Sequence, residues 1–330
     1  MKRRLLDYLV CLYCKYELVL IEPVMEGAEI IAGKLLCKQC RRNFPIQAGI
    51  PRLLPDELSQ EKQATAAGFG YSWKAFAHLD EAYEQQFLDW IAPITREFFD
   101  NKLVLDAGCG KGRHAWCAAR FGAREVIGLD LSEAVEVAYH NTRDLENVHI
   151  VQGDIYNLPF RVQFDYIYSV GVLHHLPDPA AGFLALTRVL HKGGTISAWV
   201  YGRENNGWIT YFVNPFRERI AAKMPRALLR LLSWSVTALL LYPALKLVYR
   251  PINLMLPGLA KLLFYNDYMF YISKFSFRDI YSIVLDHLIA PTAFYLRREE
   301  FASWFETAQL DKVQINWHNR NSWRGMGMAD

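Results

Sequence analysis

From residue 102 onward, short apolar runs alternate with helix-like stretches, and three successive runs lead to an aspartate. Lys102–Ala107 (KLVLDA) holds Asp106, Val126–Asp130 (VIGLD) ends on Asp130, and Val148–Gln152 (VHIVQ) leads into Asp154. Two further strand-like runs follow, FDYIYSVG at 164–171 and TISAWVYG at 195–202. Strands separated by helical segments need crossover connections. The pattern therefore predicts an α/β fold, a Rossmann-like doubly wound parallel sheet with ligands at the strands' carboxyl ends.

The loop after the first of these strands reads Asp106-Ala-Gly108-Cys-Gly110-Lys-Gly112. Glycines there let the backbone turn tightly and approach a cofactor closely. A dinucleotide loop is spaced Gly-x-Gly-x-x-Gly and holds a pyrophosphate at a helix N-terminus. Here the spacing is Gly-x-Gly-x-Gly, and the Asp106 carboxylate just ahead would repel a pyrophosphate. It suits the ammonium and sulfonium groups of S-adenosylmethionine. Asp130 lies 24 residues on, at the end of the next strand, where a carboxylate can accept both ribose hydroxyls. Asp154 is placed to take the adenine amino group.

These residues resemble the class I methyltransferases, in particular the large group with DxGCGxG, GDxxxLPF and a VLHHLPDP-like turn, to which ubiquinone and menaquinone methyltransferases belong. The likeness covers residues 102–202 closely and 291–320 more loosely. It implies cofactor contacts at Asp106, Gly108, Gly110, Asp130, Leu131, Asp154, Ile155, Ser169 and Gly171. Upstream, Gly68-Phe-Gly-Tyr71-Ser-Trp73 precedes a helical pattern with Tyr83, Phe87, Trp90 and Ile91. By the same resemblance Tyr71 and Trp73 lid the cofactor; the alternative is that they pack the linker onto the domain. His174 and His175 follow the fourth strand and are the candidate catalytic residues. Either they serve as base toward a hydroxyl, phenol or acidic carbon, or they close the strand–helix turn. That strand ends in SVGVLHH rather than the Asn/Asp-Pro-Pro-Tyr/Phe turn, which argues against adenine-N6 and glutamine methylation. Cys109 in the loop and Cys117 in the next helix are not placed to act as pyrimidine nucleophiles.

Cys11 and Cys14 form one Cys-x-x-Cys pair and Cys37 and Cys40 a second, with 22 residues between them. Four thiolates closing a tetrahedron fit structural zinc, with no open position for catalysis. Together with Phe44-Pro45-Ile46 and Gly49-Ile50-Pro51, the pairs resemble the zinc-ribbon activator subunit of eukaryotic tRNA, ribosomal RNA and release-factor methyltransferases, and its short bacterial relatives. The likeness spans residues 8–55. The first knuckle, Cys-Leu-Tyr-Cys, departs from it by lacking a proline. The resemblance implies that the ribbon props the catalytic domain in cis, and ligation coupled to folding predicts that Cys37→Ser melts the ribbon alone.

The charge is uneven. Residues 1–52 balance to +4 and 203–265 to +7, leaving −8 elsewhere in a chain of net charge +3. The expected division is a zinc ribbon at 1–57, a helical linker and lid at 58–101, the cofactor-binding core at 102–202, a mainly helical insertion at 203–290, and a closing helix and strands at 291–330. From Arg219 to Asn266 there is no acidic residue. Arg219, Lys223, Arg226 and Arg230 recur at helical spacing, with Pro225 interrupting or restarting that helix. The apolar run at 231–245 has 15 residues, short of the roughly 20 that a spanning helix needs. Cationic residues beside Leu, Trp and Tyr suit a helix lying in the headgroup layer. The opening MKRRLLDYLVCLYC is interrupted by Asp7 and two cysteines, unlike a secretion signal.

The preferred reading is a cytoplasmic methyltransferase, peripheral at the inner face of the membrane through 219–265 and acting on a hydrophobic or lipid-linked small molecule. RNA is the alternative acceptor, favoured by the ribbon and both basic segments. A third reading is a non-catalytic partner of another methyltransferase. A homo-oligomer is compatible with all three.

Overall fold

Five strands predicted from the apolar runs form the centre of one sheet. They are β5 (Leu103–Ala107), β6 (Glu125–Asp130), β7 (Val148–Gly153), β8 (Phe164–Val170) and β9 (Leu190–Tyr201). Every residue of β5 and of β7 is buried, as expected for parallel strands covered on both faces. The computed structural model describes residues 1–330, the side chain of Ala82 apart. β10 (Leu310–His318) and β11 (Ser322–Ala329) complete this part, and β11 runs antiparallel to β9. The order in the sheet is β7-β6-β5-β8-β9-β11-β10. The direction of winding reverses between β5 and β8, so the ligand crevice is expected above their carboxyl ends. Helices α1 (Gln60–Ala75), α2 (Ala82–Ile91), α3 (Arg113–Arg120), α4 (Ala134–Thr142) and α5 (Pro179–Thr187) cover the layer.

The ribbon is not a separate body. Its strands β1 (Leu18–Glu26), β2 (Glu29–Cys37), β3 (Asn43–Gln47) and β4 (Ile50–Leu53) form an antiparallel meander. Ala48 and Gly49 join β3 to β4, both at positive φ, the two-residue turn that matches strand twist. β4 then pairs in parallel with β7, Arg52 opposite Gln152 and Leu53 opposite Gly153, which makes a single 11-stranded sheet. Leu9, Leu18, Ile30, Leu35 and Phe44 of the ribbon share one apolar core with Leu105, Leu129 and Val151. Polar contacts cross the same seam. Lys2 Nζ donates to the Leu145 and Val148 carbonyls at 2.7 and 2.9 Å, Lys15 Nζ to Leu158 O at 3.0 Å, and Arg4 pairs with Glu125. A boundary at residue 57 thus cuts across a continuous sheet.

The insertion is helical, as expected, but longer in its main element. One helix runs from Arg226 to Met255, 30 residues, long and apolar enough by length and composition to cross a membrane. The 15-residue apolar run understated it, because the helix continues through Pro243, Lys246 and Pro251. Wide π-turns at Thr237–Leu241 and Leu245–Tyr249 lie beside those prolines, and the helix passes them without ending. Pro225 caps its start. Arg219 and Lys223 belong to two shorter preceding helices, so the four cations do not share one helical face. Leu239, Leu247 and Leu262 are 71%, 74% and 81% exposed, which marks the outer side of the insertion as apolar and uncovered in the single chain.

Candidate cofactor and acceptor site

The left-handed φ values of Gly108 (+87°), Gly110 (+53°) and Gly112 (+80°) coil the loop between β5 and α3 over the sheet. A Cβ on Gly108 would lie 2.4 Å from Val172 Cγ2, and one on Gly110 would lie 3.0 Å from Trp73 Nε1. The loop therefore presents bare backbone between two walls. Asp130, at the end of β6, accepts from Gly110 N (2.8 Å), Ser132 N (2.8 Å) and Ser132 Oγ (2.6 Å). A carboxylate offers about four lone-pair sites, so one remains for a ligand hydroxyl. Asp106 lies deeper, 1% exposed, and its Oδ2 has no hydrogen-bond partner among the described residues. Burial pushes its carboxyl up to about 8, with the nearby Asp130 charge adding to the rise. A cationic ligand above the loop would favour its ionised form. A buried acid with one unpaired oxygen, a second acid with spare capacity and a cradle that a side chain would fill together suit S-adenosylmethionine.

A cavity of about 330 Å³ opens beside this loop. Of the residues expected to touch cofactor, Gly108, Gly110, Asp130, Leu131, Asp154, Ile155 and Gly171 line it. Asp106 and Ser169 lie behind its wall, where Ser169 Oγ donates to Ala107 O at 2.9 Å and ties β8 to β5. Tyr71 is turned the other way, packed with Phe76, Phe216 and Leu288 under Arg226. Its neighbours Phe69 and Trp73 line the cavity instead. Helical periodicity explains the difference, because residues two apart on α1 point to different sides.

Asp154 carries an ion pair that no motif announces. Lys62 of α1 reaches it at 2.6 Å and also lies 4.1 Å from the Tyr156 ring centroid. Lys62 stands some ninety positions away in sequence, so only the fold brings it to the adenine corner. Lys111, inside the glycine loop, donates to Phe76 O and His78 O (2.9 Å each) and to Tyr83 Oη (3.1 Å). Burial, helped by the Arg113 charge, holds its ammonium down to about 7. Asp286, from the Phe277–Ile289 helix, accepts from Ser72 Oγ at 2.6 Å, and burial raises its carboxyl to about 6.

The two histidines divide. His175 lines the cavity, its Nδ1 2.7 Å from Thr292 O, and burial lowers its imidazole to about 3. The hydrogen bond fixes Nδ1–H as donor and leaves a neutral Nε2 that is a weak proton acceptor. His174 is fully buried behind it, with neither ring nitrogen hydrogen-bonded among the described residues, and its ring centroid lies 4.0 Å from that of Tyr201. It does not line the cavity. Much of the remaining wall is aromatic, with Trp90, Trp199, Tyr201, Tyr265, Tyr268 and Tyr271 beside polar groups such as Asn206, Arg278, Asp286 and Asn321.

The four ribbon sulfurs lie within 4.8 Å of one another, with Cys11–Cys40 at 3.5 Å and Cys14–Cys37 at 3.3 Å. Zinc–sulfur bonds of about 2.3 Å in a tetrahedron put sulfurs about 3.8 Å apart, so the cluster fits one zinc ion. Lys15 and Arg41, each following the second cysteine of its pair, share the left-handed conformation, and their amides return to Cys11 O and Cys37 O. The two knuckles are thus matched turns.

Comparison with known proteins agrees with both modules. Residues 105–198 match the methyltransferase-domain family, and residues 2–49 match the Trm112p-like protein family. The tRNA U34 carboxymethyltransferase of Cellvibrio japonicus is 32% identical over 133 residues, 38% of this chain and 41% of that protein. Its counterpart of the same name from Vibrio cholerae is 37% identical over 100 residues, 29% of this chain and 31% of that one. The chain therefore spans less than half the length of these curated relatives. A solved complex of the Haloferax volcanii Trm112 methyltransferase activator with a methyltransferase aligns with a TM-score of 0.46 at 16% identity, over 83% of this chain and 99% of that one. The chain carries a class I S-adenosylmethionine-dependent methyltransferase domain. In front of that domain, on the same polypeptide, stands a Trm112p-like zinc ribbon.

Proposed function

We propose that the chain transfers a methyl group from S-adenosylmethionine to a base of tRNA. The observation that carries this reading is one cavity that joins the cofactor loop to an aromatic chamber. The curated relatives are tRNA U34 carboxymethyltransferases, which supports tRNA as the acceptor in place of the lipid-linked molecule preferred from composition. Unstacked bases are held between aromatic rings, and Trp90, Trp199 and Tyr201 offer such faces. For phosphates, the insertion is better suited than the ribbon. Lys34, Lys38 and Arg42 of the ribbon are each paired with a carboxylate, whereas Arg219, Lys223, Arg250 and Lys261 make no ion pair among the described residues.

In this mechanism the glycine loop and Asp130 hold the donor, and the aromatic wall orients the acceptor for in-line attack and excludes water. The donor supplies an activated methyl carbon. The complete set of acidic and glycine positions at the cofactor corner speaks against a non-catalytic partner. With labelled S-adenosylmethionine, label is expected in tRNA and is lost with Asp130→Ala, whose charge-assisted hydrogen bonds are worth about 1.5–3 kcal/mol. Binding of cofactor without label in tRNA at low salt would reject the RNA acceptor.

A second reading, a lipid-linked acceptor met at the membrane surface, draws on the exposed apolar helix at Arg226–Met255. Each basic residue near an anionic surface contributes about 1 kcal/mol. On this reading the protein sediments with phosphatidylserine vesicles at low salt. Changing Arg219, Lys223, Arg250 and Lys261 to Gln then weakens sedimentation, while cofactor affinity stays constant. Wild-type protein left in the supernatant defeats it.

A further inference from the structure

Lys62 stands in the first turn of α1, where Ser59 Oγ caps the helix by accepting its backbone N–H at 3.4 Å. The helix dipole favours anions at that end, so a lysine there works against the helix it begins. What it gains lies across the sheet. Its Nζ donates to Asp154 Oδ2 at 2.6 Å, and the two side chains are 19% and 3% exposed. The Tyr156 ring, with its centroid 4.1 Å from the ammonium, holds it from a second direction. Lys62, Ala66, Phe69 and Trp73, at helical spacing, all line the cavity, so one face of α1 is part of its wall.

The other half of the pair faces the same space. Asp154 lines the cavity, and its Oδ1 accepts from Tyr156 N at 3.0 Å. The two hydrogen bonds use about half of the four lone-pair sites of an ionised carboxylate. Leu131 and Ile155, which follow Asp130 and Asp154, line the cavity as well and supply apolar surface for a flat ring. With an ammonium on one oxygen and a backbone N–H on the other, Asp154 has no proton of its own to give. That makes the corner a chemical filter. An exocyclic amino group can donate to it, whereas a carbonyl oxygen in the same place meets a second acceptor.

We propose that Lys62 is a positioning residue that keeps Asp154 a bare acceptor, so that the corner selects a 6-aminopurine donor over a 6-oxopurine one. This deepens the methyl-transfer reading and rests on it, with the adenine amino group at Asp154. A buried carboxylate that loses its counter-charge neutralises by taking up a proton. The resulting acid can donate to a carbonyl oxygen, and the filter is lost. Selection of the purine therefore depends on a side chain of α1 that need not touch it.

The test is calorimetry with S-adenosylhomocysteine and S-inosylhomocysteine, which carry an amino group and an oxygen at the six position. Wild type should prefer the adenosyl ligand by at least about tenfold, the effect of one unmatched hydrogen bond to a charged group. Lys62→Met should still bind S-adenosylhomocysteine, which shows that it folds, but should lose most of that preference. Lys62→Arg keeps the charge and should keep the preference. Asp154→Asn, whose amide can both donate and accept, should lose it. A preference unchanged in Lys62→Met or in Asp154→Asn overturns the assignment, as does loss of both ligands together in Lys62→Met. So does a wild type that binds the two ligands equally. Failure of the wild type to bind S-adenosylhomocysteine at all would instead strike the methyl-transfer reading.

Discussion

In a Gly108→Ala variant, binding of S-adenosylhomocysteine falls below calorimetric detection, while Gly110→Ala retains measurable affinity. The two glycines stand two residues apart in one loop, yet the space around them differs. A methyl group at 108 would enter the Val172 side chain, 2.4 Å from one methyl and 2.6 Å from the other, on a backbone at φ +87°. Strained φ costs about 1–3 kcal/mol and overpacking about as much again, so the loop is expected to move rather than bear both. At Gly110 the φ of +53° is one that alanine can adopt, and the nearest atom is the edge of Trp73 at 3.0 Å. Equal affinities in the two variants would mean that the Gly108 cradle does not hold the cofactor.

The second large effect concerns zinc. Sequence alone predicts a ribbon that melts by itself, but the shared sheet and core predict otherwise. Loss of the metal through Cys37→Ser should lower the melting temperature of the whole chain in one transition, because β4 covers the edge of β7. Structural zinc contributes about 10–16 kcal/mol in isolated ribbon-sized peptides, and here that loss reaches the cofactor corner through Leu53 and Gly153. All nine tryptophans lie at residue 73 or later, so their fluorescence reports the catalytic half alone. An unchanged tryptophan melting curve in zinc-free Cys37→Ser protein would show that the two halves unfold independently.

What could be read from the chain was local. The alternation of apolar runs, the terminal aspartates and the paired cysteines each act within a few residues, and the strands stand where those runs do. What could not be read depended on contacts across the fold. Lys62 meets Asp154 only because α1 crosses the sheet, and nothing near residue 62 announces it. Arg217 stands in a basic insertion, and nothing near it in sequence announces that it is 1% exposed. Tyr71 was separated from Trp73 only once the phase of α1 was known. The long helix escaped because the apolar run was ended at Lys246, whereas the helix continues past that cation to Met255.

The parallel pairing of β4 with β7 has a kinetic consequence. Two proteins meeting along a sheet edge separate on dilution, and the exposed strand is then open to whatever next comes by. Tethered on one chain, the ribbon re-docks as an intramolecular event whose rate does not depend on protein concentration. The edge of β7 therefore stays covered however scarce the protein becomes, and specific activity should not decline as the enzyme is diluted.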